Sequence, residues 1–154
     1  MTHSLDKKSA LGQGVTIFIY LAVLTVLEYG LAIALPNVIL LAVVALIKAG
    51  LAHLWFVTLH PFDDGNGRIA RAVGDLFLAR AEGSPQRFYS LSAQIQRERM
   101  AYYDILERSQ RQSLDVTEWL AWFLATLHRA VDQAQHTLDT VLAKTRFWQR
   151  WAAP

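Results

Sequence analysis

Two apolar runs separated by a single Pro36-Asn37 step constrain this chain more than any other feature. Residues 15–35 (VTIFIYLAVLTVLEYGLAIAL) hold one charged side chain, Glu28, and residues 38–59 (VILLAVVALIKAGLAHLWFVTL) hold one, Lys48. A helix needs roughly 20 residues at 1.5 Å each to cross a hydrocarbon core, and each run has about that length. The runs therefore read as a two-helix apolar hairpin, a membrane segment. Charge is divided to match: of 28 charged residues in the 154-residue chain, only Asp6, Lys7, Lys8, Glu28 and Lys48 precede residue 60. The rest of the sequence reads as a separate, water-facing part, which places a boundary near residues 47 and 48.

Lys7 and Lys8 precede the first run, arginines follow the second, and the turn between them has no basic residue. By the positive-inside tendency both ends face the cytoplasm. A cleaved signal peptide fits less well, because the first run exceeds a usual h-region and a second run follows at once. A lone charge in lipid costs roughly 2.5–3.5 kcal/mol unless paired or carried to the interface. Glu28 and Lys48 thus have three outlets: pairing across the turn, snorkelling, or contact with a partner subunit. The stretch around TVLEYGLA, the Leu-Pro turn and ALIKAGL resembles the small subunit IV of bacterial cytochrome oxidases, which implies an accessory membrane helix pair. A different reading makes residues 38–59 the central buried helix of a soluble bundle, since an apolar run alone does not separate core from membrane. Lys48, His53, Trp55 and Thr58 dilute the run where that reading is strongest.

Composition closes other routes. The chain has no cysteine, so disulfide frameworks, cysteine-based zinc sites and thiol nucleophiles are excluded together. A net charge of +2 gives no electrostatic footprint for nucleic acid.

Residues 60–71 carry the chemistry: His60-Pro61-Phe62-Asp63-Asp64-Gly65-Asn66-Gly67-Arg68-Ile69-Ala70-Arg71. Gly65 and Gly67 permit a sharp turn and leave room for a ligand to approach the backbone. A helix beginning near Arg68 exposes unpaired N–H groups and the positive end of its dipole, an anion cradle. Arg68 and Arg71 can grip further phosphate oxygens with forked, charge-assisted hydrogen bonds. Asp64 is a hard oxygen ligand suited to magnesium, and the imidazole of His60 can take up a proton near neutral pH. Asp63 reads as a solvated neighbour, and His53 and His128 as structural histidines.

These twelve residues match the signature His-Pro-Phe-x-Asp/Glu-Gly-Asn-Gly-Arg-x-x-Arg of Fic (filamentation induced by cAMP) domain proteins at all nine fixed positions, and the chain resembles that family over about residues 48–150. The resemblance implies transfer of AMP from ATP to a hydroxyl of a target protein, with pyrophosphate leaving. It implies His60 as general base, Asp64 as the magnesium ligand, and the Gly65, Asn66 and Gly67 turn as the anion hole. Arg68 and Arg71 would hold the outer phosphates, and Phe62 would be buried as the loop's anchor. Tyr102 and Tyr103 resemble a tyrosine pair near the adenine, and Gln110 stands where the family often has an asparagine that contacts the nucleotide.

Periodicity predicts an all-α fold, and the resemblance implies a Fic-like helical bundle behind the apolar hairpin. A helix over 68–82 would bury Ile69, Val73, Phe77 and Ala81 and stop at Gly83-Ser84-Pro85. A single helix over 92–110 would turn Ile95, Tyr102, Ile105 and Leu106 inward. The last helix starts at an Asp115-x-x-Glu118 capping arrangement and runs to about residue 144, with Val116, Trp119, Phe123, Leu127, Val131, Ala134, Leu138 and Val141 as its seam. The closing RFWQRW reads as a poorly ordered end, or a membrane or partner contact. The helices and β-hairpin flap that Fic proteins place around the motif are not visible, so three functions stand: an AMP-transferring enzyme, a nucleotide-binding remnant without turnover, and an accessory membrane subunit. Location follows as membrane-associated with the motif in the cytoplasm, or plainly cytoplasmic.

Overall fold

The computed structural model describes residues 7–34, 37–84, 86–111 and 115–151. Pro36 and Pro85, expected at two of the turns, lie outside the described residues. Six helices and no strand are found among them: α1 Lys7–Ala34, α2 Val38–Leu59, α3 Asn66–Glu82, α4 Leu91–Arg97, α5 Arg99–Arg111 and α6 Thr117–Trp151. The chain is all-α, as its periodicity predicts.

Helix α2 is the axis of the fold, with α1 and α3 along its flanks and α6 crossing it. Its start is fixed by Asn37, whose side-chain oxygen accepts hydrogen bonds from the N–H groups of Ile39 (3.0 Å) and Leu40 (3.3 Å). Its second half is enclosed: Ala49, Leu51, Ala52, His53, Leu54, Val57 and Thr58 are all buried. The indole of Trp119 on α6 donates to the Gly50 carbonyl at 2.9 Å, and a side chain at Gly50 would come within 3.1 Å of Leu120 and Phe123. Gly50 is thus the point where α6 reaches the α2 backbone. The boundary expected near residues 47 and 48 falls inside this one uninterrupted helix.

Leu11–Ala34 and Ile39–Leu59 both have the length and hydropathy of membrane-crossing helices, a property they share with signal sequences and buried core helices. The two differ sharply in burial, 6% of the first apolar window against 39% of the second. Glu28 and Lys48 take the first of their three outlets: Lys48 Nζ donates to Glu28 Oε2 at 2.5 Å, with the cation 5.9 Å from the centre of the Phe77 ring.

Four expectations need correction. In α3 the buried stripe is Asn66, Ala70, Gly74 and Leu78, one residue beyond the expected one, and Ile69 and Ala81 are exposed. Bulky residues set the expectation, yet close helix contact is made by small ones: a side-chain carbon at Gly74 would sit 3.5 Å from His53 Nδ1. The helix expected over 92–110 is two helices, broken at Glu98. There the Glu98 carboxylate accepts two hydrogen bonds of 2.6 Å from the Arg129 guanidinium, one of 2.6 Å from Gln94 and one of 3.2 Å from Thr126. The α6 seam leaves the core after Ala130, so Leu138 and Val141 are exposed, and RFWQRW continues as helix to Trp151. Phe62, expected to be buried, is 51% exposed. By contrast Ile95, Tyr102, Ile105 and Leu106 all face inward, and Asp115 receives the Thr117 N–H at 2.9 Å.

The Arg129 fork, with help from Gln94 and Thr126, holds the Glu98 carboxyl down at about 2 against its ordinary 4.5. A depressed carboxylate stabilises the fold fully above its unfolded pKa and loses that contribution as pH falls through the folded one. Glu98→Gln is expected to lower stability by about 1.5–3 kcal/mol at neutral pH. The deficit should shrink between pH 4.5 and about 2, as followed by denaturant unfolding at a series of pH values.

Candidate functional site

The loop between α2 and α3 is held by one side chain. Asn66, the first residue of α3 and almost fully buried, closes on the main chain of Phe62 from both sides. Its Oδ1 accepts the Phe62 N–H at 3.0 Å and its Nδ2 donates to the Phe62 carbonyl. Asn66, not Phe62, is therefore the loop's anchor; the Phe62 ring rests 6.2 Å from that of Phe56 at the surface.

At one end of this clamp α2 terminates at His60, which adopts the left-handed conformation (φ 46°, ψ 54°) while its N–H still bonds the Phe56 carbonyl at 3.2 Å. A non-glycine residue pays roughly 1–2 kcal/mol for that conformation, and Pro61 after it restricts the backbone further. Such strain persists where the surroundings impose it. The result turns the chain out of α2 sharply and leaves the imidazole exposed.

At the other end Gly65 (φ 84°) caps α3, its carbonyl accepting from Arg68 N at 2.9 Å and Ile69 N at 3.0 Å. The N–H groups of Asn66 and Gly67 belong to the first turn, where a helix offers no carbonyl four residues back. Their free direction and the helix dipole favour an anion. Asp64 Oδ1 accepts the Gly65 N–H at 2.7 Å, which fixes the carboxylate beside this turn. Arg71 lies along it too, since a side chain at Gly67 would find Arg71 Nη1 3.8 Å away.

These groups open onto one cleft of about 490 Å³, within the range of small-molecule and cofactor sites. The motif lines one side, with His60, Asp64, Gly65, Asn66, Gly67, Arg68 and Arg71. Helices α4 and α5 form the other, with Tyr102 and Tyr103 as expected, and with Ile95, Gln96 and Arg99 in addition. Gln110 stands apart: its amide faces the Thr58 hydroxyl at 3.5 Å and its carbonyl accepts from Gln13 at 3.1 Å, outside the cleft wall. Asp63 lies at the rim and is exposed.

The two tyrosines differ in standing. Tyr102 is buried, and its hydroxyl and His53 Nε2 are 3.1 Å apart, which ties the cleft floor on α5 to the middle of α2. Burial pushes the Tyr102 hydroxyl up to about 12, so it stays a neutral phenol. His53 is packed among Tyr102, Trp119 and Phe123 and serves structure, as read from the sequence. Tyr103 is half exposed at the mouth, with the Arg99 guanidinium carbon 5.5 Å from its ring centre. Arg99 escaped the sequence reading because it stands outside the motif. Its position four residues before Tyr103 on one helix face was the available signal.

The model of the Fic/DOC family matches residues 25–78. The match takes in the end of α1, all of α2, the clamped loop and most of α3.

Asn66→Ala is expected to free the Phe62 main chain and cost about 1–3 kcal/mol of stability, the penalty of a buried polar group left unpaired. The loop amides should show this as faster hydrogen exchange confined to residues 60–67.

Proposed function

Taking the Fic domain of this chain as premise, we propose that it is a protein adenylyltransferase moving AMP from ATP to a Ser, Thr or Tyr hydroxyl of a target protein. The observation that carries this reading is the convergence on one cleft of an exposed imidazole, a helix start with free N–H groups, and three arginines. The phosphates lie on the Asn66 and Gly67 amides, with Arg68 and Arg71 on their outer oxygens, so that the α-phosphorus faces His60. The target oxygen attacks that phosphorus as the bond to the bridging oxygen of pyrophosphate breaks. His60 takes the hydroxyl proton, and pyrophosphate leaves toward the arginines. Orientation and fixed positive charge supply most of the acceleration. Tyr103 and Arg99 offer a flat surface at the mouth for the base.

The donor set fits magnesium. One exposed carboxylate oxygen of Asp64 remains beyond its bond to Gly65, and magnesium is held by one or two carboxylates together with substrate phosphate oxygens. Bound there, the ion would neutralise phosphate charge. The reading of a binding remnant draws support from one feature: no strand is present among the described residues to pin a target segment by strand addition.

The hairpin gives this enzyme a membrane address. Helix α1 packs Ile17, Leu21 and Leu24 on the bundle and exposes apolar side chains over the rest of its surface, from Leu11 and Val15 through Val26 to Ile33, and so broad an uncovered apolar face calls for an apolar environment. The motif then lies in the cytoplasm, where ATP is available.

Label transfer from α-labelled ATP to a lysate or to the protein itself should fall 10²- to 10⁴-fold in His60→Ala. Equal labelling by both proteins would defeat the transferase reading, and tight magnesium-dependent ATP binding without any transfer would establish the remnant. Membrane-fraction protein should resist alkaline carbonate; release as a monodisperse soluble species would remove the membrane address.

A further inference from the structure

The last turns of α6 have no part in the site or the core. Ala130 is the final buried residue, and every residue from Gln135 to Trp151 is exposed, about 25 Å of helix at 1.5 Å per residue. A projecting helix of that length has to find its stability outside the bundle.

Its surface is two-sided. At 100° per residue Leu138, Val141, Leu142 and Trp148 share one arc, widened by Phe147 and Trp151; all six are between 38 and 70% exposed. Thr145 falls within the same arc, and its hydroxyl donates back to the Val141 carbonyl at 2.9 Å, so it adds little polarity there. Arg146 and Arg150 occupy the opposite side, with Asp139 between them; Lys144 falls between Trp148 and Trp151, and Gln149 between Leu138 and Leu142. From residue 138 to 151 those three cations meet one acidic residue, Asp139, which leaves a net charge of +2.

We infer that residues 138–151 form an interfacial helix that docks on an anionic lipid surface. A broad apolar arc with two tryptophans, backed by cations, is the pattern of a helix lying in the headgroup layer. Each cation near an anionic surface strengthens partition by about fivefold, so the helix's net charge of +2 contributes roughly 25-fold. A second copy of the chain suits the surface less. The seam of Leu138, Val141, Thr145 and Trp148 is only eleven residues long, under two heptads, and three of the four charges beside it are cations, so pairing opposes mostly like charges. The inference rests on α6 alone and does not depend on the proposed reaction or on the α1–α2 hairpin.

The test uses the full chain in lipid nanodiscs of phosphatidylcholine alone or mixed with phosphatidylglycerol. If the protein proves water-soluble, preformed vesicles of the same compositions replace the nanodiscs. Trypsin cleavage after Lys144, Arg146 and Arg150, mapped by mass, should slow at least about tenfold on the anionic lipid. Protection should vanish in high salt and, read at Lys144, in the Arg146→Glu/Arg150→Glu variant. Brominated acyl chains should quench part of the tryptophan emission, and Trp148→Phe/Trp151→Phe should remove that part. Equal cleavage on both lipids would overturn the proposal. So would protection that needs no lipid and rises with protein concentration, which would identify a second copy as the occupant.

Discussion

The grip of the Asn66 side chain on the Phe62 main chain is what makes a site out of two helix ends. The end of α2 presents an imidazole and the start of α3 presents free N–H groups, but each is ordinary alone. Their joint use requires the intervening loop to hold one shape, and Phe62 is too exposed to supply that by burial. A primary amide can donate and accept at once, so it satisfies both polar groups of one residue's backbone in a single arrangement. Neither aspartate nor a hydrophobic residue could do both. The left-handed conformation of His60 is then imposed from two sides: α2 holds its N–H, and the clamp fixes where the chain must go next.

The site also depends on how closely α3 approaches α2. Gly74 brings the α3 backbone against His53, and His53 in turn meets the Tyr102 hydroxyl. One buried imidazole therefore sets the spacing of three helices, two of which wall the cleft. Its Nδ1 is left without a hydrogen-bond partner in the protein, a cost of the tight contact with glycine. A larger residue at position 74 would push α3, and with it Arg71, away from the cleft floor.

Local features were legible and relational ones were not. The twelve-residue motif, the caps at Asp115 and Gly83, and the inward faces of α4 and α5 follow from residue type and spacing, and the structure reproduces them. The α3 stripe was misplaced by one position because apolar bulk was taken as the sign of burial, whereas α3 packs through Ala70 and Gly74. The break at Glu98 depends on Arg129, thirty-one residues away, which no local pattern announces. Gln110 was assigned to the nucleotide by counting along a resembling sequence. Two turns beyond Tyr103 on the same helix, it lies outside the cleft wall with its amide facing Thr58. Arg99 was missed for the converse reason: only folding brings α5 opposite the motif.

The apolar runs teach the same lesson about length. Twenty-odd residues of high hydropathy suggest a full crossing, but α2 is shared between two environments. From Ala49 to Thr58 it is largely enclosed by α1, α3 and α6, and α3 carries Arg71 and Asp75 along that stretch. Enclosure extends past the Lys48–Glu28 pair to Val44 and Ala45, which are still buried. The part of α2 before Val44 is only the six residues Val38–Val43, about 9 Å of helix, against a hydrocarbon thickness of roughly 30 Å. So short an uncovered stretch falls well below what a crossing requires, and the high hydropathy of α2 reflects its place as the axis of the helical bundle, where its apolar side chains are met by α1, α3 and α6.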